Sequence, residues 1–465
     1  MAALTGTSPS AARAGAARPA VVALVYKTAT HDARVLREAE TLAAAGYDVT
    51  LVALWRPGLP REERRGEARI LRVPFEPLDD RIVRVLATLA SPGRWRRRRG
   101  ADPRPATSAP RALRPPDDGA PASARHAVGR AFRRVTRPLR WTLVHRAWYR
   151  AVRRELPAAA AWHAHDLLTL PLAARFARER GGRLVYDSHE LFLESGRMAR
   201  SRGPARWALR RLEARLIRQA DAVVTVNEGI AAELLRRYAL APPPLVVMNC
   251  PPRWHPEAGE EPPPSDRLRQ ALDIPPGRRI LLYQGGFSEH RGLEQIAEAL
   301  LAPELAHAAA VYLGYGPLRA RLVALAAEPR FAGRLHVLDA VPPDELLDWT
   351  ASADVSLIPL QHSTLNHWLN SPNKLFESLA AGVPVVASRF PVIERIVREC
   401  GAGELLDDPT DPAELAAAAA RILALSPDAF AALRRRCRRA ALERLNWETE
   451  GGRLVELYRR LAPLP

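Results

Sequence analysis

Short apolar runs rich in Val, Leu and Ala recur along this chain, separated by stretches whose apolar positions follow a helical period. Ala20 to Tyr26 has the character of a buried strand. Thr28 to Asp32 reads as a loop, Ala33 to Ala45 as a helix with Arg and Glu on its outer face, Gly46 as its stop, and Asp48 to Ala53 as the next strand. That βαβ unit predicts a parallel sheet. The pattern continues with strands ending at Asp166, Ser188, Val226 and Asn249, and with helices over 168–180, 204–219 and 228–238. Cys250 to Pro264 is Pro-rich, acidic and without period, as a linker is. A second series follows: strands over 279–284, 309–316, 335–339, 354–359 and 383–388, helices from Gly292 and over 413–425, and further helices to Leu461. The expected fold is α/β, two Rossmann-like doubly wound domains facing across a cleft. The expected boundaries are 1–19 for a disordered lead-in, 20–249 for the first domain, 250–265 for the linker and 266–440 for the second domain. Residues 441–465 form a C-terminal helix placed to pack back on the first domain.

The chain has 465 residues, enough for two or three substantial cores. Its three cysteines, Cys250, Cys400 and Cys437, have no paired spacing, which argues against a disulfide framework or zinc site and for a reducing compartment. There is no run of eighteen or more uncharged apolar residues and no hydrophobic signal core, so the expected location is cytoplasmic. The formal charge of +18 is concentrated. Residues 92–154 hold eighteen Arg, no Lys, three Asp and no Glu, a net +15. With the remainder near balance, the charge describes one basic segment and not a nucleic-acid coat. Residues 92–138 read as a partly disordered basic insert. From Leu139 to Arg154 a helical period puts Leu139, Leu143, Val144, Trp148, Ala151 and Val152 on one face among arginines, suiting either an anionic membrane surface or a helix packed on the sheet.

The densest chemistry lies in Asn370-Ser371-Pro372-Asn373-Lys374-Leu375-Phe376-Glu377 and the run that follows, Ser378-Leu379-Ala380-Ala381-Gly382-Val383-Pro384-Val385-Val386-Ala387. Ser371 is suited to N-cap a helix with Pro372 at its first position. The first-turn amides, the helix dipole and Lys374 then form an anion site, with Glu377 one turn past Asn373 on the same face. A phosphate turn with a carboxylate behind it suits a nucleoside diphosphate. Gly285-Gly286, after a strand, permits close backbone approach to phosphate, and Arg291 follows in the same loop. No Asp-x-Asp occurs, so the usual carboxylate cradle for a metal is missing and fixed cations and amides remain to stabilise a leaving diphosphate. His165 ends one strand of the first half, and His189 and Glu190 end the next, positions that favour function in α/β sheets.

The Pro-Asn-Lys-Leu-Phe-Glu…Ala-Gly-Val-Pro-Val-Val run resembles the donor-site signature of retaining GT-B glycosyltransferases of family 4, also called glycosyltransferase group 1. The resemblance covers about residues 20–460 apart from the basic insert. It implies transfer of a sugar from a nucleoside diphosphate sugar to a hydroxyl acceptor, with retention and without a metal or other cofactor. It implies diphosphate contacts from Arg291 and Lys374, and contact of His165 with the donor sugar near the reacting carbon. Gly314, Gly316 and His336 to Val341 would flank the nucleobase. The sequence departs from the family's pattern at three places. Gly286 falls near a usual Arg, Leu369 or Asn370 falls where the first Glu of a pair would be (Glu377 matches the second), and His31-Asp32 replaces a Gly-Gly pair in the first loop. The preferred mechanism in the family is front-face attack, the leaving phosphate oxygen taking the acceptor's proton. A lipid-linked or cell-envelope acceptor at the inner face of the membrane would suit the basic segment. The competing readings are a nucleotide-sugar 2-epimerase on the same frame and, from charge alone, a nucleic-acid-binding protein.

Overall fold

Extended apolar segments of the first half assemble into eight strands: β1 (Ala20–Leu24), β2 (Asp48–Leu54), β3 (Glu62–Arg65), β4 (Ala68–Val73), β5 (Ala161–His165), β6 (Arg183–Ser188), β7 (Ala222–Thr225) and β8 (Leu245–Val246). The computed structural model describes residues 17–30, 32–74, 145–156 and 158–465. His31, the lead-in up to residue 16 and the insert 92–138 therefore lie outside the described residues. The strand order is β3-β4-β2-β1-β5-β6-β7-β8, parallel except for the β3–β4 hairpin. Most strands are buried on both faces, which is why they read as continuous apolar runs and not as alternations.

The second domain is a six-stranded parallel sheet, β9 (Arg279–Gly286), β10 (Ala308–Tyr315), β11 (Leu335–Asp339), β12 (Val355–Ile358), β13 (Val385–Ser388) and β14 (Gly403–Leu406), in the order β11-β10-β9-β12-β13-β14. In each sheet the order reverses beside the first strand: β1 lies between β2 and β5, and β9 between β10 and β12. Loops leaving such a switch point diverge and open a crevice at the carboxyl ends of the strands. Lys27 to Thr30, Asp32 and the loop after His165 lie at one switch point, and Gly285 to Arg291 at the other.

The two sheets are tied together by the end of the chain. Helix Pro427–Glu443 belongs to the second domain, where the buried Arg438 donates to the carbonyls of Gly259, Ala380, Trp254 and His255. Helix Trp447–Leu461 lies instead on helix Ala33–Ala44 of the first domain, with Trp447 Nε1 donating to Thr41 Oγ1 at 2.8 Å. Glu450, fully buried, accepts from the Met248 amide at 2.8 Å.

The helix over residues 145–152 decides between the two readings of its apolar stripe. Trp148 and Val152 are fully buried in the first domain's core, and Trp148 meets Tyr26 edge-on at 5.2 Å. Tyr149 stacks on Phe176 and carries the Arg175 guanidinium 3.5 Å from its ring centre. This part of the predicted membrane face is core, because the apolar stripe has a sheet to cover; residues 92–144 of that proposed surface fall in or beside the undescribed insert. Among the described residues no single helix is long and apolar enough to cross a membrane.

Candidate active site

The donor-side helix is Asn373–Ala380, one residue later than the sequence suggests. Its N-cap is Pro372, and no side chain caps its first turn. Ser371 does not act as the cap. Its hydroxyl accepts a hydrogen bond of 3.0 Å from Asn227 Nδ2 of the first domain, which also donates to the Leu369 carbonyl at 2.9 Å. A cross-domain contact has taken the hydroxyl that local capping logic assigns to the helix, and the first-turn amides keep the character of an anion site. Asn370 closes the preceding turn, its amide donating to the His367 carbonyl at 3.2 Å. Asn373 Oδ1 accepts from Asn249 Nδ2 at 3.0 Å, a second bond between the domains.

Lys374 is the centre of this side. It is only 7% exposed, its Nζ sits 3.4 Å from the centre of the Tyr283 ring, and the nitrogen has no hydrogen-bond acceptor among the described residues. Burial pushes its pKa well below the usual lysine value and the nearby Arg291 pushes the same way, with Glu377 opposing. A buried cation held by a ring face and lacking a hydrogen-bond acceptor is suited to meet an anion. The Gly285–Gly286 turn lies against it: a Cβ on Gly285 would stand 3.8 Å from Lys374 Nζ. Gly314, paired with Gly285 at the ends of β9 and β10, is so close that a Cβ there would fall 1.9 Å from the Gly285 carbonyl oxygen. Gly316 is packed likewise against the Phe287 backbone. These glycines hold two strand ends together around the turn. Arg291 is half-buried and forms no ion pair among the described residues, so its charge faces the same crevice uncompensated.

Glu377 accepts from Gln284 Nε2 at 2.6 Å, and Gln284 Oε1 accepts in turn from Thr350 Oγ1 at 2.7 Å. Burial raises the Glu377 pKa. The chain Thr350–Gln284–Glu377 fixes the carboxylate's orientation, which a ribose-binding acceptor requires. Glu377→Ala is expected to weaken nucleoside diphosphate affinity about tenfold, the scale of one charged-group hydrogen bond, leaving the Lys374-dependent phosphate contact in place; isothermal titration with UDP checks it.

The first domain carries a second, denser cluster. Asp187, at the end of β6, accepts from both Arg34 Nε (2.9 Å) and Arg34 Nη2 (2.8 Å), and Arg34 also donates to the Val247 carbonyl. Arg34 pairs with Glu38 one turn along its helix at 2.9 Å. His165 Nδ1 lies 3.3 Å from Asp187 Oδ2 and 3.1 Å from His189 Nε2, and His189 Nε2 lies 2.8 Å from the same carboxylate oxygen. His163, two residues earlier on the same face of β5, meets Tyr458 of the last helix at 2.7 Å.

Burial alone would raise Asp187, but Arg34 and His189 outweigh it and hold it well below the usual carboxylate range. Burial and the adjacent His163 push His165 down to about 3, so it is neutral near pH 7. Burial opposes the charge on His189, yet Asp166 and Asp187 raise it to about 9. Burial lifts Glu38 to about 8 against the pull of Arg34. An ionised Asp187 can only accept: a His165 proton on Nδ1 would donate to it and leave Nε2 with a lone pair, whereas a proton directed from His189 Nε2 would make Nδ1 the acceptor.

Glu38, His163, His165 and Asp187 bring ligand-type atoms within 4.8 Å of one another. A metal fits poorly there, because the Arg34 guanidinium already supplies the cation to both carboxylates.

At the cleft entrance, Lys27 Nζ donates to Asp32 at 2.9 Å. Burial would raise Asp32, but His189 and Lys27 outweigh it and hold it low. Glu190 accepts from Ser195 Oγ at 2.9 Å and from Asn366 Nδ2 of the second domain at 3.3 Å, so it anchors the facing domain. Sequence reasoning passed over Arg34, Asp187, Glu38, Asn227, Gln284 and Tyr283. All but Asn227 sit inside a helix or strand period that hides them; the strand-end position of Asp187 offered a signal, as did the place of Asn227 just before helix Glu228–Tyr238, where its Oδ1 accepts from the Ile230 amide.

Two parallel-sheet domains in contact, each with a switch point beside its first strand and one with an uncapped helix start next to a buried lysine, form the GT-B arrangement. Residues 278–425 match the family model described as Glycosyl transferases group 1, and residues 97–251 match that described as Glycosyltransferase Family 4. Together these segments take in well over half of the chain, and the chain belongs to that family. A D-inositol 3-phosphate glycosyltransferase of Thermobispora bispora is 29% identical over 306 residues, which are 61% of this chain and 66% of that protein. Sucrose-phosphate synthase from Thermosynechococcus elongatus superposes with a TM-score of 0.67 at 19% identity, covering 96% of this chain and 99% of the other. The Anabaena protein HepE in complex with UDP-glucose superposes with a TM-score of 0.62 at 13% identity, covering 95% of this chain and 100% of the other. The two family models and the Thermobispora relative name glycosyltransferases and favour transfer over the 2-epimerase and nucleic-acid readings.

Proposed function

We propose that the protein moves a sugar from a nucleoside diphosphate sugar to a hydroxyl acceptor, with retention of configuration and without a metal. One observation carries the reading: a buried Lys374 amine lacking a hydrogen-bond acceptor, beside the uncapped start of helix Asn373–Ala380, the Gly285–Gly286 turn and Arg291. These groups supply fixed positive charge where a departing diphosphate accumulates negative charge. Retention by front-face attack is supported by the placement of the carboxylates. Glu377 accepts from Gln284, and Asp187 is bound by both Nε and Nη2 of Arg34, so each carboxylate is already directed at a protein donor. His165 orients a sugar hydroxyl through Nε2. The HepE complex makes UDP-glucose the first donor to try, and the Thermobispora relative's name makes a polyol phosphate the first acceptor. A lipid-linked acceptor in cell-envelope assembly is the alternative that the basic segment supports.

The test is a panel of nucleoside diphosphate sugars, scored by thermal shift and by product formation, with and without EDTA. The expected result is a shift and turnover with at least one donor, unchanged by EDTA, with the anomeric configuration kept in the product. Arg291→Ala is expected to lower kcat/KM about a hundredfold, the scale of one lost charge-stabilising contact. Turnover abolished by EDTA and restored by a divalent ion would overturn the metal-free mechanism; an inverted product would overturn retention.

A further inference from the structure

Helix Pro204–Ile217 of the first domain turns an unusual face to solvent. Trp207 is 59% exposed, and the Arg211 guanidinium lies 4.4 Å from the centre of its ring. The helical period places Arg210, Arg211 and Arg215 around Trp207 on the outward side, while Glu213, Leu216 and Ile217 are buried on the other. Arg200 and Arg202, in the turn before the helix, are exposed too. None of these five arginines has an acidic partner among the described residues. The nearby carboxylates are taken: Glu213 by Tyr186 and Tyr238, and Glu194 by Arg206 and Arg237.

We propose that this face docks on an anionic lipid bilayer, with Trp207 seated at the headgroup level and the arginines against the lipid phosphates. The chemistry fits on both counts. An indole is stable where an apolar body meets a wet edge, and unpaired arginines on the plane of a surface helix are drawn to a negatively charged leaflet. A single-stranded nucleic acid would need a groove with several stacking rings, whereas this is one ring on a convex helix. The surface shares no residue with the donor site, so it stands independently of the transfer reading.

The test uses the full chain carrying Trp207→Cys labelled with an environment-sensitive fluorophore; Cys250, Cys400 and Cys437 are buried, so the label reports this face. Phosphatidylcholine vesicles containing phosphatidylglycerol are expected to shift the emission to the blue, pure phosphatidylcholine to leave it unchanged, and raised salt to reverse the shift. Arg210→Glu, Arg211→Glu and Arg215→Glu together are expected to weaken vesicle affinity about tenfold or more. That triple variant keeps its melting temperature and its response to nucleotide sugars, which separates failure here from failure of the transfer reading. A label silent to anionic vesicles overturns the proposal, even where the protein co-sediments through another segment. So does an undiminished affinity of the triple variant, or a label that responds to duplex DNA and not to vesicles.

Discussion

Lys374→Met is expected to do two opposite things: to abolish the thermal response to nucleoside diphosphates, and to raise the melting temperature of the ligand-free protein. The first effect follows from removing a full charge from a phosphate site, with an expected loss of about 10²–10³-fold in kcat. The second follows from burial. Lys374 is 7% exposed, its amine is buried without a hydrogen-bond acceptor among the described residues, and its pKa stands well below the usual 10.5 because burial disfavours the charged form. For a base lowered in the folded state, the unfolded chain binds the proton more tightly. Stability is therefore withheld at neutral pH and regained as the pH rises toward 10.5. Methionine fills similar volume without that penalty. A rise of about 2–4 °C corresponds to about 1 kcal/mol in a domain of this size. The variant's stability should also depend less on pH on the alkaline side. A Lys374→Met protein that still shifts with UDP would remove the central contact from the donor site.

Asp187→Asn is expected to be the most damaging single change in the first domain, at about 3–5 kcal/mol, because it leaves the buried Arg34 without its bidentate partner. The replacement also removes the negative charge that His165 and His189 share, so turnover is expected to fall beyond what lost stability explains. Arg34→Met with Asp187→Leu should cost less than the sum of the two single changes, since each single change alone leaves its partner's charge buried and unpaired. Thermal unfolding of the four proteins, followed through the first domain's transition, measures this. The same network sets a pH signature. His189, raised to about 9, contributes stability that is fully present below about 6.5 and lost as the pH rises through 9. His165, lowered to about 3, removes stability as the pH falls from about 6.5 toward 3, because the unfolded chain takes up its proton first. Asp187→Asn should flatten the alkaline loss. An alkaline limb equal to that of the unmodified chain would mean that His189 owes its charge to Asp166 alone.

The amino-acid sequence by itself determined the elements and their class. Strand and helix periods are local, set by how successive side chains alternate or wind about a segment's own backbone, so the parallel α/β pattern could be read from runs such as Ala20–Tyr26 and Arg279–Gln284. The donor-side motif was legible for the same reason: Pro372 to Glu377 is contiguous, and a helix start needs only its own residues to become an anion site. What only the tertiary structure decided is which partners those residues take. Ser371 looks like a cap until Asn227, 144 positions earlier, claims its hydroxyl. Trp148 has the same helical period whether its stripe meets lipid or a sheet, and here the sheet buries it. Arg34 and Asp187 are 153 positions apart, on a helix and a strand, and nothing near either one announces the other. The period of a segment is fixed by its own backbone geometry, whereas the pairing of distant charges is fixed by the strand order of the finished sheet, and no short stretch of sequence encodes that order.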